Sequence, residues 1–223
     1  MRDDAGGLGT TDTTGIDQIN LVQVPLVPEL RLFLAEDAIV LWARLEAEAS
    51  RRLPAPYWAS AWVGGQALAR YVLDRPAVVA GRKVLDLASG SGIVAIAAAM
   101  AGASTVIAND IDPYAIAVIS ANARVNNVTV ESLLGDCLDG DGGDADVVLA
   151  GDVLYDQSIA ARVHPFLDRA AARGAYVLVG DPDRGHLPSG RQHLMASYRV
   201  ATVGAPEDAQ IRQTNVFLMT ATA

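Results

Sequence analysis

The sequence predicts an α/β fold: a mostly parallel sheet with helices on both faces, finished by an antiparallel strand near the C-terminal end. Three observations predict it. Strand-length apolar runs alternate with helical segments from Lys83 to Gly180. One of those runs, Val84 to Leu87, passes straight into a glycine-rich turn and then a second apolar segment. Apolar residues make up 51% of the 223 positions while aromatics are only 5%. The core must therefore rest on Ala, Val, Leu and Ile, which suit strands buried on both faces.

The elements follow in order. Residues 1–20 are rich in Gly, Thr and Asp and predict a flexible tail. Leu21 to Leu26 fits a short strand or an extended arm. Pro28 followed by Glu29 fits a helix start, and Leu30, Leu34, Ile39, Leu41 and Leu45 recur with loose helical spacing. A helical extension is thus predicted over about residues 21–75, broken at Arg51 to Pro56 and resumed at Ala67 to Leu73. Lys83 to Leu87 is the first core strand, and Ile93 to Met100 is a helix apolar nearly all round, hence buried. Thr105 to Ala108 is the next strand. Asp112 and Pro113 supply N-cap and first position for a helix reaching Val125. Val128 to Leu133, Asp146 to Ala150 and Ala175 to Gly180 are further strands, with a Gly/Asp turn at Asp139 to Asp144 and a helix at Ile159 to Ala172. After a loop at Pro182 to Gly190, His193 to Tyr198 reads as helical, and Arg199 to Val203 and Asn215 to Thr220 close the chain as strands. That makes seven core strands in one domain spanning residues 21–223.

Composition narrows the function classes. The net charge of −9 disfavours a nucleic-acid partner and would attract a cationic group, or would serve solubility alone. Cys137 is the sole cysteine, so no intrachain disulfide forms. No secretory signal opens the chain, and Gly102, Ser104 and Thr105 break its longest apolar stretch, Ile93 to Ala108, short of the roughly 20 residues a spanning helix needs. The expectation is a cytoplasmic protein without a membrane partner. His164, His186 and His193 show no spacing for zinc, so no metal site is expected.

The chemistry concentrates at predicted strand ends. In VLDLASGSG, Val84 to Gly92, the turn residues Ala88, Ser89, Gly90 and Gly92 let backbone approach a ligand. Asp86 just before the turn would repel a pyrophosphate but can hold, directly or through water, the ammonium of an amino-acid moiety. S-adenosyl-L-methionine therefore suits the turn better than a dinucleotide does; a loop-capping carboxylate is the alternative. In ANDIDP, Asp110 at the second strand end can accept both ribose hydroxyls, flanked by Asn109 and Ile111. In GDC, Asp136 can accept from an adenine amino group or serve only as a turn residue. Cys137 beside it packs as a small apolar group. In GDVLYD, Asp152 and Tyr155 fall beside the position of a transferable methyl group. Asp152 could orient a lysine ammonium through a charge-assisted hydrogen bond, and Tyr155 could wall the amine or simply belong to the core. In GDPDR, Asp181 either lines the same pocket or makes a plain strand-exit turn. Core packing is the default for Trp42, Trp58 and Trp62.

The segment PYWASAWVGGQALARYVLD, Pro56 to Asp74, followed in order by VLDLASGSG, ANDIDP, GDVLYD and VLVGDP, resembles the electron transfer flavoprotein β-subunit lysine methyltransferases. These are Rossmann-like, seven-stranded class I methyltransferases. The resemblance runs from about Val24 to the C-terminus. It implies S-adenosyl-L-methionine as cofactor, S-adenosyl-L-homocysteine as product, and a protein lysine, on the flavoprotein β subunit, as methyl acceptor. By the same resemblance Trp62 lines the cofactor pocket, and Asp152 and Tyr155 match a D-x-x-Y signature next to the target lysine. Val63 and Ser91 depart from residues common in the family, proline and cysteine. A methyltransferase for ribosomal or other proteins, one for a small amine, and a silent S-adenosylmethionine-binding module are the alternatives.

Overall fold

The computed structural model describes residues 19–188, 190–203 and 211–221. Residues 1–18 of the expected tail lie outside the described residues, and Ile19 and Asn20 belong to the first strand.

The chain begins with a hairpin of β1 (Ile19–Val24) and β2 (Val27–Ala35), a two-stranded antiparallel sheet of its own. The expected helix start at Pro28 and Glu29 is therefore a strand, and the extension opens as β structure. The reason is legible in VPELRLFLA: Leu30, Leu32 and Leu34 alternate with Arg31 and Phe33, and all three leucines are fully buried. That is the period of a strand with one face on a core. Helix α1 (Ala38–Ala49) starts only after Asp37, whose carboxylate accepts the N–H groups of Ile39 and Val40.

The main sheet has seven strands: β3 (Lys83–Leu87), β4 (Thr105–Asp110), β5 (Glu131–Leu134), β6 (Val147–Gly151), β7 (Tyr176–Asp181), β8 (Gln192–Ala201) and β9 (Ile211–Met219). Their order is β5-β4-β3-β6-β7-β9-β8, parallel from β5 to β7, with β9 antiparallel to both its neighbours. The α/β class, the mostly parallel sheet and the antiparallel C-terminal strand are as the sequence predicts. The helical reading of His193 to Tyr198 is not: those residues lie in β8, on the sheet edge, paired with β9 across a bulge between Leu194 and Ala196. Pairing with a strand distant in sequence overrides the local pattern there.

The remaining α-helices among the described residues are α2 (Val63–Asp74), α3 (Ile93–Met100), α4 (Pro113–Val125) and α5 (Gln157–Ala172). Alternate residues of the central strands feed two cores. Val84, Val147, Leu149 and Leu178 meet α2, α3, α4 and the hairpin, whereas Leu85, Val148, Val177 and Val179 meet Val163, Phe166 and Leu167 of α5. Both faces are covered, which explains the near-continuous apolar strands. Among the described residues no helix is long and apolar enough to cross a membrane.

Two connections place the site. The chain order reverses between β3 and β6, so their carboxyl ends open into a crevice at the switch point. The N-terminal turn of α2 presses on the ends of β6 and β7 through glycines. A Cβ on Gly180 would lie 2.2 Å from the carbonyl oxygen of Gly64, and one on Gly151 would lie 2.7 Å from the Cα of Gly65.

Candidate active site

A cavity of about 520 Å³ opens at the carboxyl ends of β3, β4 and β6, within the range of small-molecule sites. Its floor is the turn after β3. Ala88, Gly90 and Gly92 all have left-handed backbone, with φ of 51°, 55° and 82°, and at Ala88 that conformation is uncommon for a residue with a side chain. Neighbouring strand ends hold the turn in place. The Ser89 N–H donates to the Asn109 carbonyl at 2.9 Å, and the Gly90 N–H donates to Asp110 Oδ2 at 2.9 Å.

Asp86 is 1% exposed. Its Oδ2 accepts the Ser89 hydroxyl at 2.5 Å and the Ala95 N–H at 3.0 Å. Burial pushes its carboxyl up to about 7, against the pull of those two bonds. It caps the loop, as one reading of the sequence has it, and also lines the cavity. Asp110 accepts the N–H groups of Gly90 and Asp112, one on each oxygen, and burial raises its carboxyl as well. A carboxylate offers about four acceptor positions, so both groups retain capacity for a ligand.

Beyond Asp110 the rim changes character. Asp136 pairs with Arg162 at 2.7 Å and accepts the Leu138 N–H, and the backbone bond first and the guanidinium second hold its carboxyl low. The Cys137 thiol donates to Asn109 Oδ1 at 3.0 Å, and burial pushes it up. Asn109 donates to the carbonyls of Leu133 and Gly135, tying β5 to β4. Ile111 stands 71% exposed at the mouth.

Opposite lies an aromatic wall. The Tyr57 ring is 5.4 Å from that of Tyr155 and 5.9 Å from that of Trp62, whose indole N–H donates to the Tyr57 carbonyl at 2.7 Å. Burial raises the Tyr155 phenol, so it stays protonated and can donate. Trp58 is buried, as core packing requires, but also lines the cavity, and Trp42 is half-buried. Asp152 is nearly buried, and its backbone is left-handed, φ 55°. Its Oδ2 accepts the Gly64 N–H and its Oδ1 the Arg184 guanidinium at 2.6 Å.

The cavity therefore collects Trp62, Asp86, Ala88, Ser89, Gly90, Asn109, Asp110, Ile111, Asp136, Cys137, Asp152 and Tyr155. Gly92 is not part of its lining. It precedes α3, and a Cβ there would meet the Ile119 side chain at 3.3 Å, so its smallness serves helix packing. Asp181 is not in the lining either. Its Oδ1 accepts the Arg184 N–H, which is the strand-exit turn. Sequence reasoning missed Tyr57, Arg162 and Arg184. Arg184 stood inside the GDPDR motif, but its carboxylate partner comes from another strand, so no local pattern revealed the pair.

A buried carboxylate beside a left-handed turn suits an ammonium, and a second carboxylate at the next strand end suits a diol. The donor set thus fits an aminoacyl nucleoside such as S-adenosylmethionine. Comparison with known proteins agrees with that geometry. The family model for ribosomal protein L11 methyltransferase (PrmA) matches residues 66–174. Magnesium protoporphyrin IX methyltransferase from Synechocystis PCC 6803, solved with bound SAM, superposes with a TM-score of 0.51 at 17% identity. The match covers 71% of this chain and 81% of that one, a likeness of fold. The electron transfer flavoprotein beta subunit lysine methyltransferase of Danio rerio is 44% identical over 161 residues, 71% of this chain and 62% of that protein. The homolog from Caenorhabditis elegans is 33% identical over 175 residues, 71% of each. The chain thus spans a little over three fifths of the first of these relatives. Identity at this level, over a stretch that reaches 71% of a relative's length, goes beyond a shared sheet: the chain belongs to the family of electron transfer flavoprotein beta subunit lysine methyltransferases.

Proposed function

We propose that this chain is an S-adenosyl-L-methionine-dependent protein-lysine N-methyltransferase whose acceptor is a lysine of the electron transfer flavoprotein β subunit. One observation carries the reading. In a chain of this family, a single cavity joins a cofactor-type carboxylate pair, Asp86 and Asp110, to Asp152 and Tyr155.

When bound, the cofactor supplies a methyl group on a positively charged sulfur. The chain's own residues do the rest. Asp86 and the Ala88, Ser89 and Gly90 turn take the amino-acid end. Asp110, with Asn109 and Ile111 beside it, takes the ribose. Asp136 and Cys137 border the adenine, and Trp62 covers the site. Tyr155 and Tyr57 form the wall along which an aliphatic amine side chain lies, and Asp152 marks its end. Alignment and exclusion of water are the main demands of such a displacement. Within the same reading the site of action is cytoplasmic, the partner is a protein rather than a nucleic acid or a membrane, and residues 21–223 act as one domain.

The test uses methyl-labelled S-adenosylmethionine, the purified protein and a lysate of its own organism, with mass spectrometry to locate the label. Label on a lysine of the flavoprotein β subunit is the expected result. Label on another protein keeps the chemistry and sinks the substrate. Label confined to small molecules, or cofactor binding without turnover, overturns the lysine reading. Asp152→Ala should cut turnover at least ten-fold while leaving cofactor affinity within a few-fold; a fully active variant refutes its place at the acceptor.

A further inference from the structure

The carboxylate at the acceptor end is already engaged. Both oxygens of Asp152 have partners: the Gly64 N–H on Oδ2, and Arg184 on Oδ1 through Nε at 3.1 Å and Nη2 at 2.6 Å. The Arg184 side chain is 28% exposed and lines the cavity alongside Tyr155. Its backbone is fixed too, since its N–H donates to Asp181 Oδ1 at 3.0 Å. Asp181 lies behind the pair, buried, with Oδ2 lacking a hydrogen-bond partner. Ionisable groups near the pair include Asp183 and His186 on its own loop, Tyr155 and Asp156 after β6, and Tyr57 before α2, with Asp86, Asp110, Asp136 and Arg162 elsewhere in the cavity.

A lysine amine attacks only through a free lone pair, and its ordinary pKa of about 10.4 keeps it protonated near neutrality. A bare carboxylate beside it would hold the proton more firmly, by about one to three units. A guanidinium paired with the carboxylate offsets that attraction, because the pair carries no net charge.

We propose that Arg184 is a positioning residue for the acceptor: by pairing with Asp152 it turns that end of the slot into a neutral pair that receives the uncharged amine. The ammonium gives its proton to solvent water before attack, and Asp152 serves as the anchor for Arg184 and for the first turn of α2 rather than as the partner of the ammonium. This rests on the lysine-methyltransferase reading above.

The test measures initial rates on recombinant electron transfer flavoprotein β subunit from pH 6.5 to 10, for wild type, Arg184→Gln, Arg184→Lys and the Arg184→Gln/Asp152→Asn pair. Arg184→Gln keeps a hydrogen bond and loses the charge. It should be about ten-fold slower at pH 7.5, recover at high pH, and show its rising limb displaced upward by about one unit. Arg184→Lys restores the charge and should return the limb to the wild-type position, and the paired variant should do so by removing both charges. S-adenosylhomocysteine affinity by calorimetry should stay within about two-fold in all four. A limb unmoved in Arg184→Gln, or a loss of rate equal at every pH, overturns the proposal. If the wild-type protein methylates no protein amine, the functional reading itself fails, and that is visible before any variant is made.

Discussion

Asp86 is a carboxylate with almost no access to solvent, and its behaviour follows from that. The Ser89 hydroxyl and the Ala95 N–H stabilise the charged form, but burial outweighs them and lifts the carboxyl to about 7. An acid whose folded pKa exceeds its unfolded value, 3.8 here, contributes stability that is fully present below the unfolded value. That contribution is lost as pH rises through about 7, where the buried group must ionise. Asp86→Asn removes the titration, so its melting temperature relative to wild type should rise between pH 5 and pH 8. A constant difference across that window would show that Asp86 does not titrate there. A cationic ligand group reverses the preference, because it favours the ionised carboxylate. Binding of S-adenosylhomocysteine to the wild type should therefore weaken as pH falls from 8 to 6. Calorimetry in two buffers of different ionisation enthalpy should detect proton release on binding near pH 7, and none for Asp86→Asn.

Helix α2 illustrates how an element can start where its own sequence gives no reason for it to start. Its N-cap, Trp62, offers no side-chain acceptor, and two glycines occupy its first turn, a composition poor for helix formation. Asp152, far along the chain, accepts the Gly64 N–H and acts as the missing cap. The glycines in turn let the helix touch the sheet: a Cβ on Gly64 would lie 2.3 Å from the Gly180 carbonyl and 2.6 Å from Asp152 Oδ2. Both neighbours are held, so neither can give way. Gly64→Ala should thus cost more than about 3 kcal/mol in a denaturant titration, at or beyond the usual range for overpacking. Gly81→Ala, where φ is 71° but nothing lies within 4 Å, should cost only the left-handed strain of about 1 kcal/mol. Equal losses in the two variants would mean that the α2–sheet contact is not tight. The sequence expectation of a helix over Ala67 to Leu73 captured the buried body of α2 and missed its first turn, since a tertiary cap leaves no local mark.

Across the whole molecule, the N-terminal hairpin and the active-site turn are joined through one helix face. Among the described residues, the outer edge of β2 pairs with no further strand. Asn126 brackets it instead, accepting the Arg31 N–H at 3.0 Å and donating to the Arg31 carbonyl at 2.6 Å. Asn122 accepts the Phe33 N–H at 2.7 Å and donates to the Ser91 carbonyl at 2.8 Å. The open edge is thereby covered, and a two-stranded hairpin that would be marginal alone gains a support. Asn122 is fully buried and connects the hairpin to the glycine turn. Asn122→Ala strands a donor and an acceptor, so it should lower stability by about 2 kcal/mol or more. It should also speed amide exchange in both Phe33 and the 88–92 turn. Faster exchange in the hairpin alone would show that the two are not coupled through α4.

The sequence by itself determined the α/β class, the mostly parallel sheet with its antiparallel C-terminal strand, and the strand ends that carry Asp86, Asp110, Asp136 and Asp152. Those are properties of local order: apolar runs of strand length, N-caps such as Asp112, and glycines at turns report on residues a few positions apart. It also held the alternation of Leu30, Leu32 and Leu34, where Pro28 and Glu29 suggested a helix. Tertiary structure alone decided the rest. β8 is a strand because β9 lies beside it, and α2 begins at Val63 because Asp152 caps it. Gly92 packs against Ile119 instead of lining the cavity, and Asp152 is paired with Arg184 from the neighbouring strand's exit loop. Each of these depends on two groups remote in sequence meeting within a few ångströms, and a hydrogen bond or a steric contact of that range is written in neither partner's neighbourhood.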